Sequence, residues 1–316
     1  MKHKKGFTAY LEKKDLAKAT ITYYIKCSDW FLNWAKKEEI QVTKPDVLRY
    51  LEYLKNNRKQ QNNARQNCLI ALNHYFSFLY TNGKITENPC QFLKIRGTHK
   101  TKLYKLYSPE ELDELCDNYY HYFVRNNENL HLTTHNQLKQ HALGRYRNAI
   151  IISLLTNQGI RTTEINKIEI NDIDTIKATL KIQRGKRLNE RTLPLKATQI
   201  GLIMQYLQNI RPQLLEYQSE ESDKLFLSLP ETGKKQTNSD KLEDIFYTLI
   251  RQIKAIDKQF ANFQQIRTSV ITSWLKAYGL RKTQYLAGHR FISTTEKYLL
   301  NNLDGLTEDI NKLHPF

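Results

Sequence analysis

Apolar residues recur at helical spacing through most of this 316-residue chain, and only one pair of short segments alternates as strands do. Ile21, Tyr24, Ile25, Ser28, Phe31, Leu32 and Ala35 trace one helix face, with Thr20 as the expected cap. Thr43, Pro45 and Asp46 open the next helix, which carries Val47, Leu48, Leu51 and Leu54. A further stripe from Cys68 through Leu69, Leu72, Tyr75 and Phe76 to Leu79 ends at Asn82-Gly83, and Phe7 to Leu11 supplies a short first helix. Four such helices predict a small bundle ending near Arg96.

Asn88-Pro89 breaks this pattern, and a basic connector with Lys94, Arg96, His99, Lys100, Lys102 and Lys105 follows. Ser108-Pro109-Glu110-Glu111 reads as a capping box that starts a second domain. The expected boundaries are therefore 1–96, a linker at 97–107, and 108–316. In the second domain Leu138 to Gln158 is a strong helix stopped by Gly159, and Glu164 to Ile173 turns from helix towards strand. Thr179–Ile182 and Arg191–Leu195 form a hairpin around Gly185 to Asn189. Helices are expected at 197–210, 239–257, 263–278, 281–287 and 302–312. The fold class is mainly α, with one small antiparallel sheet in the second domain. His131 and His135 have helical metal-ligand spacing, but no third ligand is specified, so a surface excursion without metal is expected.

Lys and Arg number 49 against 32 Asp and Glu, a formal net charge of +17 with a pI near 9.5. Charge of one sign spread along a whole chain calls for a long anionic partner, and nucleic acid is the obvious one. No apolar run approaches the length of a membrane span, so no membrane partner is expected and a cytoplasmic setting is the default. Cys27, Cys68, Cys90 and Cys116 lack C-x-x-C spacing, which predicts reduced thiols rather than zinc or disulfides. There is no glycine-rich nucleotide loop, and no cofactor is expected.

Chemistry concentrates in the second domain. Gly288 closes one apolar segment, and Ser293 with Glu296 reads as the capping box of a new helix. That places Tyr298 in the helix's second turn and His289 on the loop before it. Cleaving a phosphodiester with a protein hydroxyl needs cations on the non-bridging oxygens, an acid for the leaving oxygen, and a phenol that sheds a proton from a pKa of about 10. Arginines, with planar forks and permanent charge, suit the first task. Arg161 lies in Gly159-Ile160-Arg161-Thr162-Thr163-Glu164, and Arg267 in Gln264-Gln265-Ile266-Arg267. Lys186 follows Arg184-Gly185, eight residues before Pro194-Leu195.

In this order the motifs resemble those of the tyrosine recombinases, the phage integrase family with its Xer-type enzymes. The resemblance is detailed over 108–316 and architectural over 1–96. It implies a SAM-like, DNA-clamping bundle and a catalytic domain of the DNA breaking-rejoining fold. It further implies that Tyr298 is the nucleophile, Arg161 and Arg267 the phosphate cations, Lys186 the general acid, and His289 a phosphate contact or proton acceptor. Glu164 would fix the Arg161 guanidinium. Gln264 stands where the family has histidine; it can donate a hydrogen bond but carries no charge. For Arg58, Lys59 and Arg65, in the amide-rich stretch 56–67, a solvated loop and a helix start laid on phosphates are both open, and the resemblance favours the second. Lys94, Arg96, Lys100, Lys102, Arg184, Arg187 and Arg290 complete the expected DNA contacts. The implied partners are a double-stranded recombination site, a homotetramer on paired sites, and accessory DNA-bending or directionality proteins. Leu303 to Leu313 would dock on a neighbouring subunit. The alternatives are a catalytically weakened DNA-binding relative, motivated by Gln264, and a type IB topoisomerase, which shares the chemistry.

Overall fold

A computed structural model of the chain describes residues 1–97, 104–126, 135–185, 188–230 and 242–299. The chain divides into two compact units, Met1–Lys102 and Leu103–Phe316.

The first unit is built from α1 (Lys4–Lys13), α2 (Lys18–Ala35), α3 (Lys44–Asn56) and α4 (Asn62–Thr81). Its core gathers Phe7, Leu11, Phe31, Leu72, Tyr75, Phe76 and Leu79, all fully buried. These are the residues of the apolar stripes, turned inward because each helix has one face to hide. Thr43, Pro45 and Asp46 open α3 as expected, with Thr43 and Asp46 forming a capping box. Thr20 is not a cap: α2 starts at Lys18 behind an extended Ala17, so Thr20 lies within its first turn. The last helix begins at Asn62 rather than near Cys68, because polar residues suit a first turn as well as they suit a loop. Cys27, Cys68 and Cys90 are buried free thiols.

In the second unit α5 (Pro109–Tyr119) opens on the Ser108–Glu111 capping box and runs into a π-helical turn, Tyr120–Arg125. Next come α6 (His135–Gln158) and the one-turn α7 (Thr162–Ile165). A three-stranded antiparallel sheet has the order β1 (Ile173–Asp174), β2 (Thr179–Ile182), β3 (Arg191–Pro194). Beside the expected hairpin it holds β1, which begins where the expected turn from helix towards strand ends. Helix α8 (Ala197–Gln205) passes through a π segment, Tyr206–Ile210, into α9 (Arg211–Leu215), so the expected helix runs five residues further. After α10 (Glu243–Ile256), α11 (Phe263–Ala287) breaks at Gly279 with φ 71°, which separates the two expected helices at 263–278 and 281–287. The short α12 (Ile292–Glu296) is the last described element, and the expected helix at 302–312 lies outside the described residues.

The fully buried Ile151, Ile152 and Leu154 of α6 make it the central strut of this unit's core. The end of the expected linker is built into the same unit. Tyr107 N–H donates to Ser269 Oγ at 2.9 Å, and its hydroxyl to Asp257 Oδ2 at 2.5 Å. No described helix is long and apolar enough to cross a membrane.

Candidate active site

Three turns converge in the second unit. The first follows α6, where Gly159 takes φ +52° and lets the chain reverse. A side chain there would press on Val270 at 2.9 Å. The turn sets Arg161 as the residue preceding α7, and the Glu164 carboxylate accepts the Arg161 backbone N–H at 2.8 Å. Glu164 thus caps a helix start through the main chain. Its Oε1 stays 3.8 Å from Arg161 Nη1, too far for a hydrogen bond.

The second turn closes α11. Gly288 is left-handed at φ 67°, as its place after an apolar segment required. The His289 N–H donates to Gln284 O at 3.0 Å, which finishes the helix end. The β2–β3 hairpin is stitched to this turn: Asn189 N–H donates to Gly288 O at 3.2 Å, and Leu188 bridges His289. The third element is α12 with Tyr298 just beyond it. Here the Ser293–Glu296 capping box does not form: Phe291 precedes the helix and Ser293 lies in its first turn. Within this helix Thr295, fully buried, bonds His289. Tyr298 follows the helix rather than sitting in its second turn.

Arg267, on α11, ties the turns together. Its guanidinium donates to Gly159 O, to Ala287 O at 2.9 Å, and meets His289 Nε2 at 3.2 Å. It is 3% exposed, and burial pulls its pKa down to about 10, with Arg161 adding to the shift. Burial likewise lowers Arg161, against the pull of Glu164. An ionised Tyr298 phenol would raise both guanidinium pKa values, so its hydroxyl lies within electrostatic reach of both.

A guanidinium only donates, so His289 Nε2 must accept from Arg267 and the ring proton sits on Nδ1, donating to Thr295 Oγ1 at 2.9 Å. Burial first, and then the charges of Arg267, Arg161 and Arg191, push His289 down to about 3. It is a neutral ring at any ordinary pH. It stacks on Tyr298 with centroids 5.7 Å apart and planes 19° apart. From the other side Gln264 Nε2 reaches the Tyr298 hydroxyl at 3.5 Å.

Glu164 belongs mainly to a residue that the sequence reading passed over. Arg191, at the start of β3, donates from Nη1 and Nη2 to the two Glu164 oxygens at 2.8 and 3.0 Å. Burial opposes the Glu164 charge, yet this fork and the Arg161 N–H hold its pKa below the usual carboxylate range. Strand parity carried a signal: Arg191 shares the inward face with Leu193. An arginine on an apolar face demands a carboxylate.

The structure thus brings Arg161, Glu164, Gln264, Arg267, His289 and Tyr298 together. Arg184 and Arg290 are exposed in the same unit, with Arg290 stacked on Phe291 at 5.6 Å. In the first unit Arg58, Lys59, Lys94 and Arg96 are exposed, while Arg65 turns inward to Asn62 Oδ1 at 2.7 Å. Lys186, Arg187, Lys100 and Lys102 lie outside the described residues, as does His131.

Against known proteins, the Phage integrase family model matches residues 126–303, and the phage integrase N-terminal SAM-like domain matches residues 5–84. Tyrosine recombinase XerC of Oceanobacillus iheyensis is 28% identical, over 98% of this chain and 94% of its own length. XerC of Anoxybacillus flavithermus is 27% identical, over 98% and 96%. Among solved structures, the Tn1549 transposon integrase in complex with a circular intermediate DNA covers 98% of each chain at a TM-score of 0.63 and 12% identity. XerH bound to palindromic difH substrate covers 90% of this chain and 78% of its own at a TM-score of 0.62 and 19% identity. The likeness to these structures is one of fold.

Proposed function

Because the chain belongs to the phage integrase family and is an Xer-like tyrosine recombinase, we propose that it cuts and rejoins double-stranded DNA at specific sites through Tyr298. The observation that carries the reading is a chain of contacts that ends on the phenol: Arg267 Nη2 lies 3.2 Å from His289 Nε2, the His289 ring stacks on Tyr298 with centroids 5.7 Å apart, and Gln264 Nε2 reaches the hydroxyl at 3.5 Å. Tyr298 Oη attacks the phosphorus as its phenol proton passes to water, and the bond to the 5′-oxygen breaks, leaving a 3′-phosphotyrosine. Arg161 and Arg267 meet the non-bridging oxygens where negative charge builds up. The leaving oxygen takes its proton from Lys186. The 5′-hydroxyl of a second strand then reverses the step. Two such exchanges, through a Holliday junction in a homotetramer on paired sites, recombine the DNA. The first unit clamps the duplex, with Arg58, Lys59, Lys94, Arg96, Lys100 and Lys102 on phosphates, and Arg184, Arg187 and Arg290 add contacts from the second. Arg65, whose Nη2 donates to Asn62 Oδ1, steadies the start of α4 beside these contacts.

Neutral His289 is a poor base, so its part is to orient Arg267 and the phenol rather than to take a proton. Gln264 serves as a neutral donor at the reacting oxygens. The native cleavage rate should therefore show no histidine inflection between about pH 5 and 8. Gln264→His adds an imidazole that becomes cationic on the acid side, so this variant should outpace the native chain at about pH 5.5 and lose that advantage by about pH 8. Single-turnover rates across this range check it; a parallel pH profile for the two chains would deny residue 264 its role at the phosphate.

The decisive experiment uses nicked suicide duplexes tiled across the DNA flanking the coding sequence. The native chain should form a detergent-resistant covalent adduct, and Tyr298→Phe none. Binding without any adduct would instead favour a DNA-binding relative that lost catalysis, the reading for which Gln264 speaks. Resolution of a synthetic junction separates a recombinase from a type IB topoisomerase.

A further inference from the structure

We infer that Arg191 keeps Arg161 available for substrate by occupying Glu164, which makes Arg191 a positioning residue of the cleavage site. The inference builds on the reading above, in which Arg161 meets a phosphate.

Glu164 lies between two arginines and is shared unequally. Both of its oxygens take the Arg191 fork at 2.8 and 3.0 Å, and Oε2 also takes the Arg161 backbone N–H at 2.8 Å. The Arg161 side chain receives only a distant contact, 3.8 Å from Nη1 to Oε1. That Nη1 is buried and has no hydrogen-bond partner among the described residues. An unpaired buried donor is costly unless something arrives to meet it. A non-bridging phosphate oxygen is an acceptor of the right charge.

Without Arg191 the buried carboxylate would have the Arg161 guanidinium as its nearest cation among the described residues, with Arg267 acting from farther off. A rotation of one side chain would turn the 3.8 Å contact into a charge-assisted pair. Arg161 would then be neutralised before substrate arrived. Arg191 also underlies the second of the converging turns. A Cβ at Gly288 would stand 2.5 Å from Arg191 Nη1, so the turn that presents His289 rests directly on this guanidinium. The Arg191 side chain is itself fully buried, with both terminal nitrogens committed to Glu164.

The test is phenylglyoxal labelling of arginines in the full chain, read peptide by peptide by mass spectrometry, beside adduct formation on the suicide duplex. In the native chain Arg161 should label readily, and inorganic phosphate should protect it. Arg191→Met should slow Arg161 labelling by about tenfold, as Glu164 captures the guanidinium. Arg191→Lys, which keeps the charge but loses the fork, should fall between the two. Adding Glu164→Gln to Arg191→Met removes both buried charges, and should restore labelling to within about twofold of native and raise adduct yield above that of Arg191→Met. If Arg191→Met does not fold, Arg191→Lys and the double variant carry the comparison. Native-rate labelling of Arg161 in Arg191→Met or Arg191→Lys would overturn the proposal, as would a double variant as slow as the single. Labelling follows Arg161 without DNA, so a native chain that never forms an adduct would refute the recombinase reading while leaving the labelling result to decide this one.

Discussion

Arg161→Ala should slow formation of the covalent adduct about a thousandfold while leaving the fold essentially unchanged. The size of the effect follows from where the charge is needed. The phosphate in transition carries extra negative charge, and a pre-placed donor in a partly enclosed site is worth about 10²–10³ in rate. Stability is spared because Arg161 Nη1 has no hydrogen-bond partner among the described residues and the side chain is 29% exposed. What holds this turn is the Arg161 backbone N–H on Glu164, which alanine retains. Arg161→Lys should recover little, since an ammonium cannot present two parallel donors. Single-turnover rates and thermal melts of the same preparations check both halves. A large drop in melting temperature, or a loss under about tenfold in rate, would mean that Arg161 holds structure rather than phosphate.

What could be read in advance depended on how local the cause was. The helix start at Thr43, Pro45 and Asp46, the Ser108–Glu111 capping box, the Gly288 helix end and the Gly279 break involve residues within a few positions of each other, and they appear where the pattern put them. The Ser293–Glu296 box had the same pattern and does not form. Phe291 precedes α12, and Thr295 within it is committed to His289 Nδ1 at 2.9 Å. Arg191 shows the limit most clearly. Its partner Glu164 is 27 residues away on another element, so spacing along the chain could not pair them. Only the inward parity of β3 hinted that this cation was buried. The same holds for His289. Burial first, and then Arg267, Arg161 and Arg191, set its charge state, and none of these causes shows in the residues next to it in the chain.

Arg267→Ala is expected to fail differently from Arg161→Ala, losing cleavage and stability together. Arg267 is buried on α11 and satisfies the main-chain carbonyls of Gly159 and Ala287, which end two separate helices. Alanine would orphan both, at about 1–3 kcal/mol each. The cavity adds to that loss, so about 3–6 kcal/mol is a fair expectation for the second unit. In a unit of this size that lowers the melting temperature by roughly 10 °C or more. The same change would free the Gly159 turn, which aims Arg161, and the Ala287–Gly288 turn, which aims His289. The rate should fall at least as far as for Arg161→Ala even below the melting transition. Arg267→Lys would reach one carbonyl at most, and should recover part of the stability without the rate. A variant that melts like the native chain but does not cleave would show that Arg267 acts on phosphate alone. One that is destabilised but cleaves normally would remove it from the chemistry altogether.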